Sequence, residues 1–133
     1  MTTNAPAHQL GSQKYVLLTT YRRVGTPVRT PVWVAPDGAA LLVWTVMDSG
    51  KVKRIRNNTE ISVAPCTSRG KPLGPAVAGR AEILDAEETR HVRRLIRKKY
   101  WLAGPIVLFL SRLRRGTRGT VGLRIGVGQE ERP

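Results

Sequence analysis

The sequence has few of the residues that form metal sites and disulfides, and it has no long apolar run that could span a membrane. Its 133 residues include one cysteine and two histidines, His8 and His91. A single cysteine excludes an internal disulfide framework and any multi-cysteine zinc or iron–sulfur site, and two histidines are too few for most histidine-based metal sites. No apolar run approaches the roughly 20 residues that cross a bilayer, and the polar segment 1–12 lacks the apolar stretch of a secretory signal. We therefore expect a cytoplasmic protein without a metal site or stable membrane insertion.

Acidic residues are also scarce relative to basic ones. The chain has 23 Lys and Arg against 9 Asp and Glu, so its formal net charge is +14 at pH 7. The basic residues are densest at 51–56 and again from Arg93 to Arg118. Such an excess attracts nucleic acid, an acidic membrane surface or a phosphorylated ligand, and composition does not choose among them. With three Trp, three Tyr and one Phe, few aromatic rings remain for stacking on bases, so we expect no specific nucleic-acid partner.

Short β-type segments separated by turns predict a mainly β protein. Turn residues occur at Gly25 and at Pro36-Asp37-Gly38, and the short connections favour antiparallel pairing. Pro31 lacks an amide proton, which indicates an edge strand, a bulge, or a place where the backbone faces something other than a neighbouring strand. The predicted strands are six, at 15–20, 28–35, 40–46, 61–65, 76–84 and 121–125.

Helical patterns lie between these strands. A short helix is predicted over 51–57, a second after the capping pattern Asp85 and Glu88, and a third over 106–113. Val92, Leu95, Ile96 and Tyr100 fall on one face of the second helix. Together these elements predict a six-stranded antiparallel split β-barrel over 13–126, with one helix plugging an end. Segments 1–12 and 127–133 are predicted to be disordered, and burial in a dimer would stabilise so shallow a core.

The sequence offers no self-sufficient set of catalytic side chains. His8 lies in a predicted tail, His91 lies beside the basic helix face, and Cys66 has no candidate base. The carboxylates form no obvious acid and base pair. We therefore name no catalytic residue, and an enzyme of this sequence would need a cofactor to carry the reaction.

The segment from Trp44 to Arg56 favours a phosphate group. A strand ends near Thr45, a turn supplies Ser49 and Gly50, and a short helix begins with Lys51. Free N–H groups at a helix N-terminus, hydroxyls and a cation are what a phosphate requires. An ordinary solvated basic turn is the alternative interpretation of this pattern.

The order and spacing of several short segments make this sequence similar to a known family. They resemble the pyridoxamine 5'-phosphate oxidase-like split barrels of the FMN-binding type, and within them the branch that binds the deazaflavin coenzyme F-420. The resemblance covers roughly residues 14–125. It implies an oxidoreductase, a homodimer that holds the cofactor at the subunit interface, and hydride transfer from the reduced deazaflavin to a small organic substrate. The supporting segments are Thr19–Arg23, Gly25–Val28, Thr30–Val34, Ser49–Arg54, Ala64–Cys66 and Val77–Glu82.

The resemblance also implies a set of cofactor contacts. Lys51 falls at the family's main phosphate-binding lysine, Thr45 at its strand threonine, and Arg29 at an arginine that reaches the cofactor phosphate in the flavin enzymes. The remaining candidates are Pro31, Val32 and Trp33 for the ring system, Pro65 and Cys66 for the ring pocket, and Ser49, Gly50, Lys53 and Arg56 around the phosphate.

The sequence departs from the flavin oxidase at three positions. Gly50 stands where that enzyme has a second phosphate-binding arginine, Val34 where it has a lysine for the vitamin's phosphate, and Gly74 where a glutamine meets the flavin. These departures argue against pyridoxamine phosphate oxidase activity and leave FMN as the alternative cofactor. A non-catalytic cofactor carrier, and a polyanion-binding protein that uses the basic helix and Arg112–Arg118, are the alternative functions.

A charge argument favours the deazaflavin, whose phosphodiester and polyglutamate tail need an extended basic groove. Arg22, Arg23, Lys51, Lys53, Arg54 and Arg56 could form such a groove.

Overall fold

The computed structural model describes residues 9–100 and 119–127. It contains one antiparallel sheet of seven strands, in the order β2-β1-β5-β6-β7-β4-β3, which curls into a half-barrel. The predictions of a mainly β architecture and of antiparallel pairing are confirmed. The strands are β1 (Val16–Tyr21), β2 (Pro27–Val32), β3 (Ala35–Asp37), β4 (Ala40–Val46), β5 (Glu60–Pro65), β6 (Val77–Ile83) and β7 (Thr120–Val127), and the two longer helices are α1 (Gly50–Asn57) and α2 (Ala86–Tyr100).

The prediction of six strands is wrong by one, because the segment predicted as a single strand over 28–35 divides. Its first part is β2, which pairs with β1, and its last residue begins β3, which pairs with β4. Trp33 and Val34 join the two. At the junction the N–H of Val34 donates to the hydroxyl of Tyr100 at 3.2 Å instead of to a strand neighbour. The two edges of the sheet are therefore consecutive in the chain, which forces the sheet to curl. Of the alternatives predicted for Pro31, the structure shows the edge strand, because β2 is at one edge of the sheet.

The inner face of the curled sheet is the main hydrophobic core. Alternate residues of the strands point into it, as the period of two in a strand requires. Ile55 of α1 joins this core, and so do Leu10 and Val127, which lie outside the predicted domain limits. The fully buried members include Val16, Leu41, Val43, Val63, Leu123 and Ile125. Each such side chain contributes about 1.5–3 kcal/mol when it leaves water.

Helix α2 covers the outer face of β7, β4 and β3. Asp85 Oδ1 accepts the N–H of Glu88 at 2.8 Å, so the predicted cap is confirmed. Val92, Ile96 and Tyr100 of the predicted apolar face are buried, and the ring of Tyr100 stacks on Trp33 with 4.2 Å between centroids. The helix predicted over 106–113 lies outside the described residues.

Helix α1 lies across one end of the half-barrel. Strands β1, β6 and β4 run in the same direction, because each is separated from the next by one antiparallel neighbour. The carboxyl ends of β1 and β4 therefore come to the same end of the sheet. Helix α1 begins four residues after β4 and contacts both β1 and β6. Neither α1 nor α2, nor any other helical stretch in the described ranges, is long and apolar enough to cross a membrane.

Candidate functional site

Two threonines near the carboxyl ends of strands face the cations of α1. Thr45 on β4 and Thr20 on β1 are 6% and 1% exposed. The Nζ of Lys51 donates to Thr45 Oγ1 at 3.1 Å, and the Nε of Arg54 donates to Thr20 Oγ1 at 2.6 Å. The two strands are not neighbours in the sheet, so α1 connects them through these two contacts. We call Thr20, Thr45, Ser49, Gly50, Lys51 and Arg54 the α1 site.

The residue just before α1 is a serine whose hydroxyl does not cap the helix. Ser49 is the N-cap residue, in extended conformation, yet its side chain makes no capping hydrogen bond. Its Oγ is buried and has no hydrogen-bond partner among the residues that the structure describes. Its carbonyl accepts the N–H of Lys53 at 3.2 Å, as the first turn of a helix requires. A buried hydroxyl without a partner costs free energy, and an oxygen-rich ligand at the helix N-terminus would remove that cost.

Several positively charged groups lie close together at this end of the helix. Burial, and secondarily the neighbouring Arg54, lower the pKa of Lys51 below its usual value. Burial, and secondarily Arg22, lower the pKa of Arg54. The N-terminus of a helix also carries a partial positive charge. An anion would relieve the repulsion among these groups, whereas a further cation would increase it.

The structure brings four of the predicted site residues together: Thr45, Ser49, Gly50 and Lys51. Lys53 and Arg56 are exposed on α1, so both are accessible to a ligand on the surface. Arg29 is exposed on β2, where it pairs in register with Thr19 of β1.

The residues predicted to contact the cofactor ring are placed differently. The side chain of Trp33 is buried against Tyr100, on the α2 side of the sheet. Val32 belongs to the inner core, and Pro31 lies opposite Leu17 on the edge strand.

The two candidates for the ring pocket lie at the end of β5. Cys66 packs with Leu17 and Ala64, and burial raises the pKa of its thiol. Pro65 is half-buried, and an ideal Cβ on Gly74 would lie 3.1 Å from its Cγ. Both belong to the packing of β1 against β5 rather than to the α1 site.

The cofactor contacts predicted from the sequence did not include two members of the α1 site, Thr20 and Arg54, although Arg54 was among the cations of the predicted basic groove. Their contact joins positions 34 residues apart, so no local pattern displays it. A repeated signal was nevertheless present: both Thr20 and Thr45 come near the end of a strand and are followed by a turn and basic residues.

A groove of about 1220 Å³ lies over β5, β6 and β7. It is lined by Arg56 and Ile55 of α1 but not by Thr45, Ser49 or Lys51. Two of its arginines face carboxylates that also line it, Arg80 with Glu60 at 3.9 Å and Arg124 with Glu82 at 3.8 Å. Paired, largely exposed charges of this kind hold a ligand weakly. In the described ranges no three His, Cys, Asp or Glu side chains group as metal ligands. The α1 site is the better candidate because the Oγ of Ser49 is buried there without a described partner.

Comparison with solved structures shows the same fold in proteins of different reported function. A FAD-binding protein from Mesorhizobium loti has a TM-score of 0.64 and 18% identity, covering 97% of this chain and 90% of that one. The haem storage protein of Vibrio cholerae has a TM-score of 0.63 and 13% identity, covering 97% and 92%. An F420 reductase has a TM-score of 0.59 and 20% identity, covering 90% and 91%. At these identities the likeness establishes the fold alone.

Sequence comparison establishes the family. No match was found among curated proteins. The family model described as pyridoxamine 5'-phosphate oxidase matches residues 3–121, most of the chain. The curled seven-stranded sheet and the similar solved structures agree with that match, and this protein belongs to the pyridoxamine 5'-phosphate oxidase family.

Proposed function

We propose that this protein binds the phosphate group of a flavin-type cofactor at the α1 site, that the cofactor is coenzyme F-420, and that the protein is an oxidoreductase. The observation that carries the proposal is the pairing of Lys51 with the Thr45 hydroxyl beside the buried, unpartnered Ser49 Oγ at the N-terminus of α1. These groups are an ammonium, two hydroxyls and backbone N–H donors, which together suit the oxygens of a phosphate.

The residues present fit a phosphate in three respects. Lys51 is held by a contact from β4, so its position is fixed before a ligand arrives. Ser49 has a hydroxyl available for a hydrogen bond. The cations around α1 already repel one another, so an anion gains more there than at an isolated lysine.

The distribution of exposed charge favours the deazaflavin over FMN. FMN carries one phosphate, whereas coenzyme F-420 carries a phosphodiester and a polyglutamate tail. Arg22 and Arg23 in the β1–β2 turn, with Lys53 and Arg56 on α1, are exposed cations on either side of the α1 site. Each exposed pair with a tail carboxylate would contribute about 0–1 kcal/mol, so the tail would bind collectively and weaken with salt. An F420 reductase and a FAD-binding protein are both among the proteins of this fold, so the fold is compatible with either cofactor and the choice rests on the charge.

The chemistry would come from the cofactor. When bound and reduced, a deazaflavin supplies a hydride, that is two electrons and a proton, to an organic acceptor, which takes its second proton from solvent. The chain's own residues would bind the phosphate, orient the ring and exclude water. Tyr100 is not available as a proton donor, because its hydroxyl donates to the carbonyl of Lys14 at 2.6 Å and burial raises its pKa to about 12.

We further propose that the site lies at the interface of a homodimer, whose second copy would complete the ring pocket.

A cofactor carrier without turnover is the second candidate. It is favoured by the composition of the α1 site, whose described members are cations, hydroxyls and a glycine, without a carboxylate or imidazole to move a proton.

Fluorescence titration with coenzyme F-420 and with FMN, each added separately, tests the proposal. We expect micromolar affinity for coenzyme F-420, weaker affinity for FMN, and at least tenfold weaker binding of F-420 by Lys51→Ala, since the variant loses the charge-assisted contact. Arg94→Ala is the matched control, because it removes the same charge from an exposed position on α2.

Failure of the wild-type protein to bind either cofactor would refute the proposal. Consumption of the reduced deazaflavin with a panel of quinones and enones then separates the two candidates: turnover identifies an enzyme, and binding without turnover a carrier.

A further inference from the structure

The side chain of Arg54 extends towards the N-terminus of α1 and lies over Gly50, four residues earlier. An ideal Cβ built on Gly50 would lie 2.9 Å from a terminal guanidinium nitrogen of Arg54 and 3.6 Å from its Cζ. The guanidinium therefore folds back by one helical turn, over the N-terminus of its own helix. There it meets the positive end of the helix dipole and lies near Lys51, whose pKa it lowers. A cation at this end of a helix is electrostatically unfavourable in the absence of an anion.

Thr20 holds the side chain in this place. The Nε of Arg54 donates to Thr20 Oγ1 at 2.6 Å, and Thr20 is 1% exposed, so the acceptor is fixed in the sheet. Because Nε is engaged, the two terminal nitrogens are the donors that the guanidinium presents beside Gly50. Two parallel N–H donors are the arrangement that binds phosphate oxygens in a bidentate manner.

We propose that Arg54 is a second phosphate-binding cation of the α1 site, and that the missing side chain at Gly50 is what admits it. The related flavin oxidase has an arginine at the position of Gly50, as noted above. In this chain the guanidinium reaches the same end of the helix from four residues later, and any side chain at position 50 would compete with it for space. Gly50 and Arg54 thus act as a pair, with Thr20 as the positioning residue. This inference deepens the proposed function, since it names a further residue that binds the phosphate.

Two substitutions separate anion binding from helix stability. Gly50→Ala should displace Arg54 and weaken anion binding, yet leave the unliganded protein as stable as before or more so, because alanine favours the helix over glycine. Thr20→Val should also weaken anion binding, because it leaves the guanidinium charged but unaligned. Arg94→Ala is again the control for net charge.

The experiment measures the rise in melting temperature with inorganic pyrophosphate as the probe. We expect the half-saturating pyrophosphate concentration to rise about tenfold or more in Arg54→Ala and several-fold in Gly50→Ala and Thr20→Val, with no change in Arg94→Ala. If Arg54→Ala does not fold, the results for Gly50→Ala and Thr20→Val decide whether Arg54 binds the anion.

Two results would overturn the inference. One is unchanged pyrophosphate binding in Arg54→Ala while Lys51→Ala loses it, and this would leave the proposed function standing. The other is a wild-type protein that pyrophosphate does not stabilise, which would remove the anion site altogether. A protein that binds pyrophosphate through Arg54 but neither flavin nor deazaflavin would support the inference and refute the proposed function.

Discussion

Two part-buried lysines at different places in the half-barrel have opposite surroundings. The Nζ of Lys99, on α2, donates to the carbonyls of Gly11, Gln13 and Val34 at 2.6–2.7 Å. An ammonium has three protons, so this lysine is saturated by backbone groups. The Nζ of Lys51, on α1, has one described partner, the hydroxyl of Thr45. The first arrangement ties chain segments together, whereas the second leaves donors for a ligand.

The polar groups around Lys99 are also hydrogen-bonded, whereas those around Lys51 are not all satisfied. Beside Lys99, the hydroxyl of Tyr100 contacts the carbonyls of Lys14 and Val34, so the N-terminal segment and the β2–β3 junction are bound to the same helix. Two residues before Lys51, the Oγ of Ser49 is buried without a described partner, and the cation of Arg54 lies close enough to lower the pKa of Lys51. Saturated polar groups stabilise a fold, and incompletely satisfied ones next to a helix N-terminus indicate binding.

Lys99→Met should have the largest effect on stability. It removes three charge-assisted hydrogen bonds and leaves partly buried carbonyls without a donor, so we expect a loss of about 3 kcal/mol in the free energy of unfolding. Urea denaturation measures it, with Lys98→Met, at an exposed neighbouring position, as control. Lys51→Met should lower the free energy of unfolding much less in the same measurement. Equal losses at the two positions would contradict the distinction between a structural lysine and a binding lysine.

The pH dependence of that loss tests the charge of Lys99. Burial lowers the pKa of Lys99 to about 8 from 10.5. Between these values the unfolded chain binds a proton that the folded chain lacks, so this group makes the folded protein more stable as pH rises from 8 to 10.5. The stability difference between the wild type and Lys99→Met should therefore grow over that interval. A difference that stays constant over that interval would show that the three carbonyls hold the pKa of Lys99 at or above its usual value.

Lys51 should impose its own pH dependence on cofactor binding. Its pKa is lowered in the free protein by burial and by Arg54, and a bound anion would raise it again. Affinity for coenzyme F-420 should therefore fall as pH rises through the pKa of free Lys51, which lies below 10.5. Fluorescence titrations between pH 7 and 10 measure this. Lys51→Arg, which stays charged, should show a much flatter profile, and an equally steep profile in both proteins would assign the titration to another group.

Local contacts decide which parts of this molecule could be predicted from the sequence. The bond between Lys51 and Thr45 spans six residues, and the strand, turn and helix between them are marked by their own residues. The division of the strand over 28–35 depends instead on Tyr100, which is 66 positions from Val34. The contact between Arg54 and Thr20 is likewise distant in sequence. Burial of Trp33 could not be predicted from the segment over 28–35, because the outer face of a sheet is covered only where a helix such as α2 packs on it.

Cys66 should show the smallest effect, and it tests the placement of the ring pocket. The resemblance to the split-barrel family places it in that pocket, whereas the structure packs it with Leu17 and Ala64, at 4% exposure. Cys66→Ala should lower the free energy of unfolding by about 1 kcal/mol, because a small buried side chain is lost, and should change affinity for coenzyme F-420 less than twofold. Its thiol should also react slowly with alkylating reagents, since burial raises its pKa. A tenfold loss of affinity without loss of stability would mean that Cys66 does reach the cofactor ring, and the ring pocket would then extend from the α1 site to the end of β5.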